Sequence, residues 1–352
     1  MKHNKINIGI MGFGHIGRYV YLNTLDNPYF EIKAISDIGS PDVFEYLIKN
    51  EPRNKKNVIF DGSDFVYKKN KTKFLNGENP GDVDWELLDV DWVIDATGKF
   101  LSKSILKKHI DAGAKKVIIS GLPSENLDNI IIPGINIADV NAKDKLISAG
   151  SSTTNAMAIM LDVINEIFEI ECASMTTVHS YTNDQPLQDS AGRDLRRSRS
   201  AAKNIIPNEN FSYKWVSKVL PEFQSKIISS ALNVPVQFGS LMDLTVILKK
   251  EISDIKLIND VFKKASFESP ELIKIAKDPI VSSDVIGSTE SIIFDSIGSL
   301  LVSPTMIKIL SWYDNGFNHA SRILDVISAY EVIDKWILQS MVLVVLEDLS
   351  IG

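Results

Sequence analysis

The apolar positions of this chain change their spacing half-way along. Over the first 150 residues, short runs of consecutive apolar residues alternate with stretches of helical period. Residues 6–11, 31–36, 92–98 and 116–120 are such runs, the third ending in a small polar turn. Continuous apolar text of this length suits strands covered on both faces of a parallel sheet. Helical spacing follows at 19–25, where Asn27-Pro28 ends it, and at 103–112. Residues 57–90 read as hairpins and a polar loop, with turn signals at Gly62, Gly77 and Pro80-Gly81. Repeated strand–helix–strand alternation predicts an α/β, doubly wound Rossmann domain. In such sheets ligands sit at the carboxyl ends of strands, which here carry Thr97, Gly98 and Ser120.

After residue 170 the strands come in succession. Residues 173–181 are rich in β-branched side chains, and 226–236, 241–250, 291–295 and 306–312 read the same way. Helical periods are confined to about 254–267 and 317–328, and a polar, basic, irregular segment runs to about 206. This pattern predicts an α+β domain on a mixed or antiparallel sheet. The two halves meet at Ser148-Ala149-Gly150-Ser151-Ser152-Thr153-Thr154-Asn155. An apolar strand precedes it and an amphipathic run to Phe168 follows, so it reads as a strand-to-helix turn. Free N–H groups and the positive end of the dipole favour negative charge there. Serine and threonine are also the preferred helix caps, which is the plainer use of such a stretch.

Two further features carry chemistry. Gly12-Phe13-Gly14-His15-Ile16-Gly17 fits GxGxxG between the first strand and its helix. One glycine permits the tight turn, one lets the backbone approach a pyrophosphate, and one lets helix and strand pack closely. Asp37 ends the second strand, 20 residues beyond Gly17, where the ribose-binding acid of a dinucleotide site is expected. Its charge opposes a 2′-phosphate and no Arg or Lys directly follows it, so NAD is favoured over NADP.

Composition narrows the classes. A chain of 352 residues is long enough for two domains. The net charge of −7 argues against nucleic-acid and membrane-surface partners. The single cysteine, Cys172, excludes an intramolecular disulfide and a cysteine-cluster metal site, and its apolar neighbours suggest a buried small hydrophobe. No metal site is expected. A short polar N-terminus without a signal peptide, and no apolar run near ~18 residues, suggest a cytoplasmic protein.

The chain resembles the phosphorylating glyceraldehyde-3-phosphate dehydrogenases and their relatives the erythrose-4-phosphate dehydrogenases. The matching pieces are GFGHIGR at 12–18, DATGKF at 95–100, KKVIIS at 115–120, SSTTN at 151–155, TTVHSYTNDQ at 176–185, DLRRSRSAAKNIIP at 194–207, SSD and GST within 282–289, and LSWYDN at 310–315. Their order and spacing are kept across residues 6–331. The resemblance implies an NAD-binding domain at 1–151, with a helix at about 316–331 packing back on it, and a catalytic domain at 152–315. It implies a homotetramer, an aldehyde or aldose-phosphate substrate, and cofactor contacts from Gly12, Phe13, Gly14, His15, Ile16, Asp37, Thr97, Gly98, Ser120 and Asn315. His179 matches the catalytic base, 27 residues after the nucleophile position, residue 152. Thr182 with Arg197 or Arg199 matches groups that hold the substrate phosphate, and Ser151 and Thr153 match groups around a second phosphate.

Departures accompany the matches. The family's nucleophile is a cysteine, and here it is Ser152. The arginine of its motif before Val-Pro is Asn233, which offers neither charge nor a two-pronged donor. A Thr-Gly pair after Pro207 is replaced by Asn208-Glu209-Asn210-Phe211, and an arginine of the pyrophosphate loop by His15. A deliberate Cys-to-Ser replacement would account for residue 152 alone, so these changes point to divergence. They leave open a slow aldehyde dehydrogenase, a non-catalytic NAD-binding paralogue, and a Ser152–His179 hydrolase. Residues 332–352 lie beyond the match, carry strongly apolar runs, and are expected to dock on a subunit surface.

Overall fold

The computed structural model describes residues 5–192 and 194–350, with 334–350 described by backbone alone. The chain divides into two compact units, Met1–Ala149 with Ala320–Gly352, and Gly150–His319. In the first unit the elements run β1 (Ile6–Met11), α1 (His15–Thr24), β2 (Phe30–Ser36), α2 (Pro41–Lys49), β3 (Ile59–Phe60), β4 (Asp64–Tyr67), β5 (Asn70–Leu75), β6 (Trp92–Asp95), α3 (Lys103–Asp111), β7 (Lys116–Ile119), β8 (Asn129–Ile130) and β9 (Leu146–Ser148). They form one sheet in the order β3-β4-β5-β2-β1-β6-β7-β9-β8. The central pairs β2-β1, β1-β6, β6-β7 and β7-β9 are parallel, as the continuous apolar runs predict, and the β3-β4-β5 edge is antiparallel. Trp85, Val93, Leu106, Val117 and Leu146 belong to one buried cluster. Each such side chain contributes about 1.5–3 kcal/mol.

The second unit runs α4 (Ser152–Phe168), β10 (Ile170–Ser180), β11 (Ile206–Glu209), α5 (Ser212–Val219), β12 (Ile227–Val234), β13 (Ser240–Leu248), α6 (Lys256–Glu268), β14 (Ile273–Ile275), β15 (Ile292–Ser303) and β16 (Met306–Tyr313). Its sheet has the order β11-β12-β10-β13-β16-β15-β14 and is mixed: β10 pairs parallel with β12 and antiparallel with β13. α4 is buried along most of its length and packs on β10 and β13, with α5 and α6 beside it. Inward residues such as Met175, Met242, Leu244, Val246 and Ile309 are fully buried. Phe262 of α6 stacks on Phe294 of β15 at 4.1 Å between ring centres.

The structure differs from the sequence reading at several short elements, at Cys172 and in the length of the last helix. α2 was not foreseen, although Ser40-Pro41-Asp42 supplies a proline at its start and an acid in its first turn. α5 and β14 were not foreseen either; both are too short to show a period. Cys172 is exposed rather than buried. Strand alternation sends Ala173 and Met175 inward, and Cys172 falls on the other face, next to a register shift against β13. The last helix, α7 (Phe317–Ser350), does not stop near 328 or 331. No proline or glycine interrupts 317–350, so nothing breaks its backbone hydrogen bonding. The docking expected of the tail concerns side chains outside the described residues. Among the described residues no helix is long and apolar enough to cross a membrane.

Candidate active site

In the first unit, β1 runs into a turn that only glycine can make. Gly12 has φ +88°, and a Cβ there would lie 2.7 Å from the Thr97 backbone nitrogen. A Cβ on Gly17 would lie 2.1 Å from the Gly12 carbonyl oxygen, so α1 can approach this turn only with glycine. Gly14 caps α1 with no side-chain acceptor, and nothing lies within 4 Å of where its Cβ would be. Open space therefore faces the N-terminal end of α1, where the helix dipole suits a phosphate. Asp37 is held against this turn: Phe13 N–H donates to Oδ2 at 2.6 Å and Gly39 N–H to Oδ1 at 2.8 Å. A carboxylate accepts about four hydrogen bonds, so acceptor capacity remains for ribose hydroxyls. Gly12, Gly14, Asp37, Glu78, Thr97 and Lys99 are among the residues lining a cavity of about 230 Å³.

Several predicted cofactor residues are engaged within the unit. The Phe13 ring is fully buried, 5.3–5.6 Å from the rings of Tyr21, Phe44 and Phe65, so its main chain alone borders the turn. His15 opens α1 and packs on Tyr19 at 4.3 Å, and Ile16 lies half-buried in the same first turn. Ser120 N–H donates to the Asp95 carbonyl at 2.9 Å, across the ends of β6 and β7.

Sequence reasoning missed what holds Thr97. Its N–H and hydroxyl donate to Asp95 Oδ1 at 3.0 and 2.6 Å. Asp95 Oδ2 lies 3.4 Å from Nε2 of His109, which is fully buried on α3. The indole N–H of Trp85 donates to His109 Nδ1 at 3.1 Å. An indole can only donate, so the imidazole proton sits on Nε2 and points at Asp95. A buried chain from Trp85 thus ends at the Thr97–Gly98 turn of the cavity. A histidine on the buried side of a predicted helix was the available signal.

In the second unit, the hydroxyls at the start of α4 divide their work. Ser151 is the cap, its Oγ accepting from Thr154 N–H at 3.1 Å. Ser152 is the first helical residue and is 7% exposed. Thr153 Oγ1 lies 2.9 Å from the hydroxyl of Tyr313, which lies 2.8 Å from Thr177 Oγ1. This buried bridge fixes the start of α4 over the carboxyl end of β10. Burial pushes the Tyr313 phenol up, against hydrogen bonds to Thr153, Thr177 and Ser240.

His179 stands two residues beyond Thr177 on the same face of β10. Its Nδ1 lies 2.6 Å from the Ser180 carbonyl, which requires a proton on Nδ1 and leaves Nε2 the basic atom. Burial holds its pKa below the ordinary value, the Ser180 carbonyl and Asp184 oppose this, and Arg197 reinforces it. Ser180 Oγ donates to Asn315 Oδ1 at 2.9 Å.

The predicted phosphate groups separate into two sets. Thr182 Oγ1 and the Arg197 guanidinium both donate to Asp184. These three form one cluster, and Asp184 and Arg197 border a cavity of about 480 Å³. Arg199 instead pairs with Asp189 at 3.1 Å and borders a different cavity with Lys203. Asn233 lies on β12 in register with His179. In the segment after Pro207, Asn210 Oδ1 accepts the N–H that opens α5, and its carbonyl accepts from Ser229 at 2.9 Å. That segment is used to build the unit.

Comparison with known proteins gives the family. The model of the glyceraldehyde 3-phosphate dehydrogenase NAD binding domain matches residues 6–103, and that of the C-terminal domain matches 151–315. Glyceraldehyde-3-phosphate dehydrogenase of Borreliella burgdorferi is 40% identical over 332 residues, covering 91% of this chain and 98% of its own. Glyceraldehyde-3-phosphate dehydrogenase 2 of Streptomyces avermitilis is 39% identical over 326 residues, covering 91% and 97%. The chain belongs to the glyceraldehyde-3-phosphate dehydrogenase family. The Geobacillus stearothermophilus enzyme is 36% identical over 337 residues, covering 92% and 98%. As in that family, the fold is a Rossmann NAD-binding domain with a mixed-sheet C-terminal domain, and the cofactor is NAD. The residues present fit it: open space at Gly14 and Gly98, and an acid held at the end of β2.

Proposed function

We propose that this chain is an NAD-dependent oxidoreductase of aldehydes in which Ser152 occupies the nucleophile position and phosphorylating turnover is slow. The reading rests on two features of the second unit. One is a hydroxyl at the first position of α4, whose start is bridged to β10 through Thr153, Tyr313 and Thr177. The other is His179, farther along β10, whose Nε2 is left basic. A thiol begins near a pKa of ~8.5, and a helix terminus and a histidine can bring it to neutrality. A hydroxyl begins far higher. A helix dipole worth ~0.3–2 kcal/mol moves a pKa by about 1.5 units at most. Capture of the aldehyde as a covalent adduct is therefore inefficient.

Direct oxidation of the aldehyde hydrate does not need the thiolate. One C–H bond of the hydrate breaks with its electron pair leaving as hydride. One O–H bond breaks with its proton passing to His179 Nε2, and the product is the carboxylic acid. When bound, NAD supplies the two-electron acceptor. Ser151 and Thr153, both committed to bonds within the unit, hold the start of α4 still during this step. Thr182 and Arg197 border the substrate in this reading, Asn315 remains a cofactor contact, and Arg199, paired with Asp189, takes no part.

The test is NADH formation with glyceraldehyde-3-phosphate, erythrose-4-phosphate and unphosphorylated aldehydes. Slow formation without stimulation by inorganic phosphate is expected, rising in Ser152→Cys. No NADH from any aldehyde, with tight NAD binding retained, would sink the reading in favour of a non-catalytic NAD-binding protein. Full phosphorylating activity in Ser152→Cys would mean that only the nucleophile differs from the relatives. Self-association belongs to the same proposal: Ile228, Ile297, Leu300 and Val302 are each more than half exposed on the second sheet. Light scattering showing a monomer at micromolar concentration would exclude it.

A further inference from the structure

β12 presents Ile227, Ser229, Ala231 and Asn233 to the helix side of its sheet, and Ile228, Ser230, Leu232 and Val234 to the other. In the parallel pair with β10, Asn233 is opposite His179 and Ala231 opposite Thr177. Paired residues stand on one face, so the Asn233 amide lies beside the imidazole. It is only 5% exposed. Its Nδ2 donates to the Ser180 carbonyl at 3.5 Å, the oxygen that also accepts from His179 Nδ1. That carbonyl settles which way the amide points, because the reversed amide would set oxygen against oxygen. Oδ1 is then a buried acceptor with no hydrogen-bond partner. Buried acceptors are nearly always paired, so one left open beside a catalytic base marks where a ligand's donor belongs.

The chemistry of that donor is constrained. A phosphate monoester near neutral pH meets the amide oxygen mainly with acceptors, lone pairs against lone pairs. The nearby guanidinium does not relieve this, since Arg197 donates to Asp184, which also takes the Thr182 hydroxyl. That ion pair carries no net charge to draw an anion. Nor does Asp184 welcome an ammonium group, being already paired. A neutral hydroxyl satisfies Oδ1 without leaving a charge unpaired.

We infer that Asn233 is a specificity-determining residue whose Oδ1 accepts a substrate hydroxyl, and that the substrate is an unphosphorylated hydroxyaldehyde. The inference rests on the reading of the chain as an aldehyde oxidoreductase.

The experiment compares kcat/KM for D-glyceraldehyde, propanal and glyceraldehyde-3-phosphate in the full-length protein with NAD. Glyceraldehyde is expected to exceed both others by about tenfold or more. In Asn233→Leu the ratio of glyceraldehyde to propanal falls about tenfold, and Asn233→Ala carries the same expectation should leucine fail to fold. Asn233→Asp keeps an acceptor and lowers the phosphate ester further. A parent that prefers the phosphate ester, or a leucine variant that keeps the ratio, overturns the assignment. Saturation-transfer NMR on Ser152→Ala separates this from failure of the oxidoreductase reading, because it needs no turnover. Glyceraldehyde signals that vanish in Ser152→Ala/Asn233→Leu support the site even if no NADH forms. Signals from the phosphate ester alone overturn it.

Discussion

His179 and His109 show how one residue type takes two roles in this chain. His179 is half-buried, with one nitrogen donating to a carbonyl and the other left basic. Burial keeps it neutral to lower pH than a free imidazole, so its folded pKa lies below ~6.5. The acid limb of the pH–rate profile should therefore fall below pH ~6.5, and a limb at 7 or above would exclude His179 as the base. Below ~6.5 the unfolded chain binds the proton more readily than the folded one, so stability falls as pH drops through that range. His109 is used on both nitrogens and is fully buried. His109→Leu should weaken NAD binding at least tenfold in calorimetry, because Asp95 then holds Thr97 less firmly. His109→Gln, which can still accept from Trp85 and donate to Asp95, should recover most of it. Equal losses in both variants would make His109 a packing residue only.

At the scale of elements, α4 joins the two predicted uses of its serine- and threonine-rich start. Ser151 caps it, as the plainer reading of the sequence required, and this leaves Ser152 at the first helical position. Ser151→Ala should cost about 0.5–2 kcal/mol in urea unfolding. A larger loss would mean that the hydroxyl contact with Thr154 at 2.8 Å also carries packing. α7 is tied to the first unit at its fourth turn: Tyr330 donates to Asp144 at 2.7 Å, and Trp92 donates to Glu331 at 2.9 Å. The helix that continues to Ser350 follows from an uninterrupted run of residues without proline or glycine.

The molecule as a whole is two units with separate sheets and separate cores. The predicted cofactor groups other than Asn315 lie in the first, and Ser152 with His179 in the second. NAD at a hundred times its Kd should stabilise the protein by about 2.7 kcal/mol. Thermal unfolding should show this rise with NAD and a smaller one with equal NADP, because Asp37 opposes a 2′-phosphate. Equal shifts from the two nucleotides would remove Asp37 from that role.

Periodic patterns specified much of this protein. The consecutive apolar runs set the parallel sheet, and the glycine spacing with Asp37 set the NAD turn, because those signals depend only on local backbone geometry. The capped start of α4 was legible for the same reason. Cys172 was misplaced because its neighbours in sequence point to the opposite face, and burial is settled by what packs there. Which arginine faces Asp184, that Trp85 and His109 brace Thr97, and that Asn233 is left with an open acceptor beside His179 were decided by contacts between residues 13 to 54 positions apart. Such contacts leave no period in the chain, so folding alone brings these groups together.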